Sequence, residues 1–126
     1  MIKIYHNPRC SKSRETLSLV EQIATTKQLE LDIIDYQKTP LTVDLLKSLL
    51  RELGGNVQTM LRSNEEEYDA GHLADADDHQ AILAIANHPK LLQRPIVSYQ
   101  GKAAIGRPPE QVLALFNESN ESNKYE

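Results

Sequence analysis

The sequence is poor in sulfur and in aromatic side chains. Its 126 residues include one cysteine, two methionines, one phenylalanine and no tryptophan. A single cysteine excludes an internal disulfide framework, and this usage is typical of the reducing cytoplasm, which we expect to be the compartment of the protein. Aromatic residues make up only 5% of the chain, so it offers few rings on which nucleic-acid bases could stack.

Long apolar runs and strong net charge are also absent. No apolar stretch approaches the roughly 20 residues of a membrane-spanning helix, and no charged and then apolar leader precedes the first predicted strand, so we expect neither a membrane protein nor a secreted one. The net charge is −4, with no basic stripe, which argues against nucleic acid as the main ligand. With 40% hydrophobic residues, the chain predicts one compact domain with a real core.

The first third of the sequence predicts a strand, a helix and a strand. Residues 2–5 and 29–36 alternate and are rich in β-branched side chains, as strands are. From Ser11 to about Thr25 the apolar positions recur at helical spacing, and Ser11 or Ser13 is a candidate cap for the start of that helix. The order strand, helix, strand favours a parallel βαβ unit with a right-handed crossover.

The remainder predicts a helical block, a hairpin and a last helix. The hairpin joins Pro95–Tyr99 to Lys102–Ile105, and the last helix, at residues 107–116, buries Val112, Leu113 and Phe116. The fold class is therefore α/β, a thioredoxin-like core of order β-α-β … β-β-α over residues 1–117. A helical insertion occupies about residues 40–90, and residues 118–126 form a polar tail that we expect to be frayed.

Cys10 stands between the first predicted strand and the first predicted helix, in the stretch YHNPRCSKSRETL. The N–H groups and dipole of a helix N-terminus favour a thiolate, and Arg9, Lys12 and Arg14 add positive charge around it. The alternative is an inert core cysteine, since free cysteine is among the most buried residue types. A loop rich in polar and cationic residues is a poor core, which favours the reactive thiol.

Two familiar cysteine chemistries do not fit this loop. A phosphatase-type anion loop needs an arginine six positions after the cysteine, where this chain has Thr16. A dithiol redox site needs C-x-x-C, where this chain has Ser13. A disulfide at Cys10 must therefore involve another molecule, and a single-thiol chemistry remains. The Ser13 hydroxyl is either a hydrogen-bond donor to the sulfur or a helix cap.

Four separated motifs resemble those of the glutaredoxin-linked arsenate reductase (ArsC-like) family. Residues 6–10 match its HNP-x-C signature, and the matches continue through LRSNEEEY at 61–68, RPIV at 94–97 and GRPPEQVL at 106–113. Together they span nearly the whole chain apart from the tail. The wording around the cysteine is most similar to that of a chromosomal branch of the family.

The resemblance implies an arsenate reductase with a thioredoxin-like fold. Cys10 would be the nucleophile that bonds covalently to arsenic, and Arg62, Arg94 and Arg107 would hold the oxyanion. Arsenate would be the substrate, glutathione the co-substrate and glutaredoxin the partner, with no bound cofactor or metal. Pro95 would be the proline that such folds place, in the cis form, opposite the cysteine loop. The supporting residues implied are His6, Asn7, Ser13, Arg14 and Pro95.

The chemistry of the side chains agrees with this resemblance. Arsenate is a tetrahedral oxyanion, and guanidinium groups bind such anions through bidentate, charge-assisted hydrogen bonds. Attack by a thiolate on an anion requires that its charge be neutralised, which several arginines can do. Each arginine also has an ordinary structural interpretation: Arg62 as a solvated charge at a helix end, Arg94 as a strand-start residue and Arg107 as a neighbour of a helix N-terminus.

The other polar clusters indicate surface rather than a site. His72, His79 and His88 lack the spacing of zinc ligands, and the acidic stretch at 65–79 lacks the pattern of a calcium loop.

Two other functions stay open. One is a non-enzymatic, Spx-like regulator that binds RNA polymerase, although such proteins usually carry C-x-x-C in this loop and do not need all three arginines. The other is a glutathione-linked thiol enzyme that acts on a different oxyanion.

Overall fold

A computed structural model of the protein describes residues 1–116, and the predicted tail at 118–126 lies outside the described residues. Four strands form one sheet in the order β2-β1-β3-β4. The strands are β1 (Ile2–His6), β2 (Leu31–Asp35), β3 (Ile96–Tyr99) and β4 (Lys102–Ile105). The α-helices are α1 (Ser11–Lys27), α2 (Val43–Glu52), α3 (Glu66–Ala70) and α4 (Asp78–Asn87), and 3₁₀ helices lie at Val57–Met60, Leu73–Asp75, Pro89–Leu91 and Pro109–Leu113.

The chain divides into two compact units. The first unit comprises residues 1–35 and the described residues from 94 onward, and the second comprises residues 36–93. The sheet and α1 belong to the first unit, and α2, α3 and α4 belong to the second. The helices predicted for about residues 40–90 therefore lie in the second unit.

The sheet of the first unit confirms the predicted parallel βαβ unit and the predicted hairpin. β1 pairs in parallel with β2, so that α1 connects two parallel strands. β3 runs antiparallel to β1, and β4 runs antiparallel to β3. Between β3 and β4, Gln100 and Gly101 have φ of 52° and 81°, the left-handed pair that suits a two-residue hairpin turn and matches the twist of the strands.

The core of the first unit lies where α1 and the last segment of the described chain cover the sheet. Val20 and Ala24 come from the face of α1 that the apolar spacing predicted, and Tyr99 and Phe116 have ring centroids 4.9 Å apart. This packing holds α1 against the sheet. The buried members are Ile2, Ile4, Val20, Ala24, Val97, Val112, Leu115 and Phe116.

The last predicted helix differs from the expectation. Within the predicted segment at 107–116, residues 109–113 form a 3₁₀ helix and residues 114–116 are α-helical. Val112 and Phe116 are buried as predicted, but Leu113 is half-buried and Leu115 is buried in its place. A 3₁₀ helix has 3 residues per turn rather than 3.6, so the positions that face the core shift from those of an α-helix.

The second unit has its own buried side chains and its own helix caps. The Thr42 hydroxyl accepts a hydrogen bond from the N–H of Leu45, 3.1 Å away, at the start of α2. Asp77 and Gln80 form a capping box at the start of α4. Within residues 1–116, no helix has both the length and the apolar character needed to cross a membrane. The largest fully buried apolar side chains of this unit include Leu46, Leu49, Met60, Ile82, Ile85, Leu91 and Leu92.

Candidate active site

Cys10 occupies the N-cap position of α1. Its N–H donates to the carbonyl oxygen of Asn7 at 3.0 Å, and its own carbonyl accepts from the N–H of Arg14 at 3.0 Å. The Asn7 side-chain oxygen accepts from the N–H of Arg9 at 3.0 Å, which closes the loop between β1 and α1. No side chain caps this helix, so the prediction that Ser11 or Ser13 caps it is wrong: the cysteine itself takes that position.

The Cys10 sulfur is half-buried and free, which does not fit the alternative of an inert core cysteine. Burial of the sulfur acts to raise the pKa of the thiol. The N–H groups of Ser13 and Lys12 and the Arg94 guanidinium act in the opposite direction, and they leave the pKa of Cys10 below its ordinary value. The site therefore favours the thiolate, the form in which cysteine is a nucleophile.

Two of the three predicted arginines reach the sulfur. Arg94 lies just before β3, and its guanidinium acts to lower the pKa of the thiol. Arg107 lies just after β4 and places Nη1 at 3.9 Å from Sγ. The same Nη1 of Arg107 donates to the carbonyl oxygen of Arg94 at 3.2 Å. Nε of Arg94 is buried and has no hydrogen-bond partner in the described part of the chain. Two guanidinium groups beside a thiolate can bind an oxyanion at the sulfur.

Two cis peptide bonds flank these arginines. The Arg94-Pro95 bond is cis, in agreement with the form that the resemblance implies at Pro95. The Arg107-Pro108 bond is also cis, and nothing in the sequence analysis predicted it. The carbonyl of Pro95 accepts a hydrogen bond from the N–H of Gly106 at 2.9 Å, which joins the two arginine-bearing segments.

His6, Asn7 and Ser13 form a buried hydrogen-bonded group behind the loop. His6 Nδ1 lies 2.8 Å from the Ser13 hydroxyl oxygen, which also accepts from the N–H of Asn7 at 3.0 Å. Burial lowers the pKa of His6 although the charge of Asp35 acts to raise it, which favours the neutral imidazole in this group. The Ser13 hydroxyl thus takes neither role considered from the sequence, and it is the backbone N–H of Ser13 that acts on the sulfur.

Arg14 and Arg62 make local contacts. Arg14 is exposed, and its Nη1 donates to the carbonyl oxygen of Pro8 at 3.0 Å, so it braces the cysteine loop. Arg62 belongs to the second unit, where its Nε lies 3.3 Å from Oε2 of Glu65 in a salt bridge. Its predicted contact with an oxyanion stays a prediction.

Thr16 contacts the site, although the sequence predicted no role for it there. Thr16 is fully buried, and its hydroxyl donates to the carbonyl of Lys12 at 2.8 Å and lies 3.3 Å from the carbonyl oxygen of Gly106. A signal was present in the spacing, because Thr16 falls on the buried face of α1 between Ser13 and Val20.

The three other histidines lie at the surface of the second unit. His72, His79 and His88 are exposed, as predicted. Within residues 1–116, no group of histidine, cysteine and carboxylate side chains has the arrangement of a metal site.

Comparison with known proteins matches residues 5–115 to the model of the ArsC family. The chain belongs to the ArsC family. An arsenate reductase of Neisseria meningitidis serogroup B is 43% identical over 118 residues, which cover 91% of this chain and 97% of that protein. The uncharacterized protein YfgD of Escherichia coli K12 is 45% identical over 117 residues, 90% of this chain and 95% of that protein.

Solved structures agree with these relatives. An arsenate reductase from Vibrio cholerae superposes with a TM-score of 0.82 and is 46% identical, with coverage of 90% of this chain and 96% of that one. A structure described as a putative arsenate reductase from Yersinia pestis has a TM-score of 0.80 and 49% identity, with coverage of 90% and 99%. The ArsC resemblance and the thioredoxin-like α/β fold class are thus confirmed.

Proposed function

We propose that this ArsC family member is an arsenate reductase that uses Cys10 as its nucleophile. The observation that carries the proposal is the half-buried Cys10 sulfur, with a lowered thiol pKa, held among helix N–H groups and the guanidinium groups of Arg94 and Arg107. The substrate assignment is supported by relatives and solved structures that are named arsenate reductases.

The first step is binding of arsenate beside the sulfur. Arg94 and Arg107 supply positive charge and guanidinium donors for the oxyanion. Arg62 joins them as a third ligand, a role supported by its place in a motif shared with the family. Neutralisation of the arsenate charge by these cations is what allows an anionic thiolate to approach.

The second step forms the covalent intermediate. The Cys10 thiolate attacks arsenic, a sulfur–arsenic bond forms, and one arsenic–oxygen bond breaks, so that the oxygen leaves as water after protonation. His6, Asn7, Ser13 and Arg14 act by holding the cysteine loop, since their hydrogen bonds run to one another and to the loop backbone.

The third step needs electrons from outside the chain. Cys10 is the only cysteine, so the two electrons that convert arsenic(V) to arsenic(III) come from external thiols. Glutathione attacks the arsenical and forms a second sulfur–arsenic bond, and a second arsenic oxygen leaves as water. A glutaredoxin thiolate then attacks the glutathione sulfur, which forms a glutathione–glutaredoxin disulfide and leaves the electron pair on arsenic as arsenic(III). Water breaks the remaining sulfur–arsenic bond, arsenite leaves and the Cys10 thiolate returns. This scheme needs no bound cofactor and suits the reducing cytoplasm.

An assay that couples glutaredoxin to NADPH through glutathione reductase tests the proposal. We expect NADPH consumption that depends on arsenate, on glutathione and on glutaredoxin, with each omitted in turn as a control. No arsenate-dependent consumption, under conditions in which an arsenate reductase of the family turns over, would contradict the proposal. Turnover with another tetrahedral oxyanion but not with arsenate would show that the substrate assignment is wrong and that the thiol chemistry of Cys10 is right.

A further inference from the structure

Thr16 is a buried polar residue that the mechanism above does not use. Its hydroxyl donates to the carbonyl of Lys12, 2.8 Å away in the first turn of α1. Threonine in a helix commonly makes this kind of bond to the carbonyl four residues earlier, and the bond alone needs no functional explanation.

The second contact of Thr16 is of a different kind. Its hydroxyl oxygen lies 3.3 Å from the carbonyl oxygen of Gly106, a residue 90 positions away in the sequence. The two residues also pack without space between them: a Cβ atom on Gly106 would lie 2.5 Å from Oγ1 and 2.9 Å from Cγ2 of Thr16. The hydroxyl thus faces two carbonyls, one in α1 and one in the loop after β4.

Gly106 is in turn the residue before Arg107. Its N–H donates to the carbonyl of Pro95 at 2.9 Å, so the segment that carries Arg107 is held on one side by Pro95 and on the other by Thr16. From that segment the Arg107 guanidinium reaches the Cys10 sulfur at 3.9 Å. A displacement of Gly106 would therefore move the guanidinium relative to the sulfur.

We infer that Thr16 is a positioning residue of this site: its side chain holds the Gly106 segment against the first turn of α1 and so keeps Arg107 at the Cys10 sulfur. The inference rests on the proposed function only for the identity of the oxyanion, since the contacts themselves do not depend on arsenate.

The inference can be tested without arsenate by alkylation of Cys10 with two reagents that both react with a thiolate by displacement of iodide. Iodoacetate carries a negative charge and iodoacetamide is neutral, so the ratio of their rate constants reports the positive charge at the sulfur. Removal of a cation about 4 Å away in water changes such a ratio by about fivefold. In Arg107→Ala we expect the ratio of the iodoacetate rate constant to the iodoacetamide rate constant to fall by about fivefold. In Thr16→Val the ratio should fall by roughly two- to fivefold. In Thr16→Ser, which keeps the hydroxyl, it should stay close to that of the wild type.

Two comparisons separate positioning from a general loss of structure. In the Arg107→Ala background, Thr16→Val should change the ratio no further, because the group through which it acts is gone. Thr59→Val is the matched control, since the Thr59 hydroxyl also donates to a backbone carbonyl, that of Asn56 at 2.7 Å, but in the second unit. Thr59→Val should leave the ratio unchanged. Thr16→Ala serves as the second hydroxyl-free variant if Thr16→Val does not fold.

The outcomes distinguish this inference from the proposed function. A ratio that is unchanged in both hydroxyl-free variants, or that falls equally with and without Arg107, would overturn the positioning role. An unchanged ratio in Arg107→Ala would overturn it too, because Arg107 would then not act at the sulfur. If the ratios behave as expected while the coupled assay gives no arsenate reduction, the proposed function fails and the positioning role stands.

Discussion

Nη1 of Arg107 lies 3.9 Å from Sγ of Cys10, although the two residues are 97 positions apart in the sequence. The sheet explains how they meet. β3 is antiparallel to β1 and β4 is antiparallel to β3, so the end of β1, the start of β3 and the end of β4 lie at one edge of the sheet. Cys10 follows β1, Arg94 precedes β3 and Arg107 follows β4, and the topology therefore assembles the thiolate and both cations.

Arg94→Ala should raise the pKa of the Cys10 thiol. The Arg94 guanidinium acts to lower the pKa of the thiol, because a neighbouring donor and positive charge favour the thiolate over the thiol. The rate of alkylation by iodoacetamide, followed against pH, should show a midpoint below the ordinary cysteine value in the wild type and a higher midpoint in the variant.

A matched control for this change is Arg51→Ala. Nη2 of Arg51 donates to the Ser48 hydroxyl at 3.1 Å within the second unit, and its loss should not move the alkylation midpoint. Equal midpoints in Arg94→Ala and the wild type would mean that Arg94 does not act on the sulfur.

Ser13→Ala should destabilise the fold and loosen the cysteine loop. The change removes the hydrogen-bond partner of the buried His6 Nδ1 and of the Asn7 N–H, and an unsatisfied buried polar group costs about 1–3 kcal/mol. Urea denaturation should show that loss in the free energy of unfolding. Ser18→Ala, at an exposed position of the same helix, should stay within about 0.5 kcal/mol of the wild type, and an equal effect of the two changes would contradict this account of Ser13.

His6 should make the stability of the fold depend on pH. Burial lowers the pKa of His6 in the folded state below the ordinary 6.5. As pH falls from the ordinary value towards the lower folded-state value, the unfolded chain binds a proton that the folded chain does not. The free energy of unfolding should therefore fall over that window.

The test compares two histidine variants. His6→Gln should reduce the acid-side loss of stability in urea denaturation across that window, and His79→Gln, at an exposed position, should leave it as in the wild type. An equal pH dependence in His6→Gln and the wild type would remove His6 as the source of the effect.

Gly106→Ala should destabilise the first unit by steric overlap. The added Cβ would lie 2.5 Å from Oγ1 of Thr16 and 3.0 Å from Cγ of Pro95, and overpacking of this kind typically costs about 1–3 kcal/mol. Thermal unfolding should show a lower midpoint in Gly106→Ala. Because Thr16 supplies the two shortest contacts, the added cost of Gly106→Ala should shrink in a Thr16→Ala background, and an undiminished cost there would contradict the packing described.

Much of the fold could be predicted from local sequence. The strands follow from alternation, and the hairpin follows from Gln100-Gly101, where both residues adopt positive φ. Helix α1 runs two residues past the predicted end, to Lys27, because Gln28 takes the left-handed conformation at its C-cap. In each case the local structure is decided by residues within a few positions of one another in the sequence. Periodicity and turn chemistry report on interactions over that distance.

The details of the site depended on contacts that local patterns do not encode. The resemblance indicated Cys10, Arg94 and Arg107, but it did not reveal that Thr16 packs on Gly106, because that contact joins residues 90 positions apart. Nor could it show that the Ser13 hydroxyl faces His6 and Asn7 rather than the sulfur. Such choices are made by the direction of a buried side chain, which spacing alone leaves open.

Formation of arsenite by Cys10→Ser tests the central claim most directly. Arsenite should be measured itself, with arsenate, glutathione and glutaredoxin present, for the wild type, for Cys10→Ser and for Ser11→Ala, a control at the exposed neighbouring position. We expect arsenite from the wild type and Ser11→Ala and none above background from Cys10→Ser, since the serine hydroxyl cannot supply the thiolate. Arsenite formation by Cys10→Ser at the rate of the wild type would contradict the account.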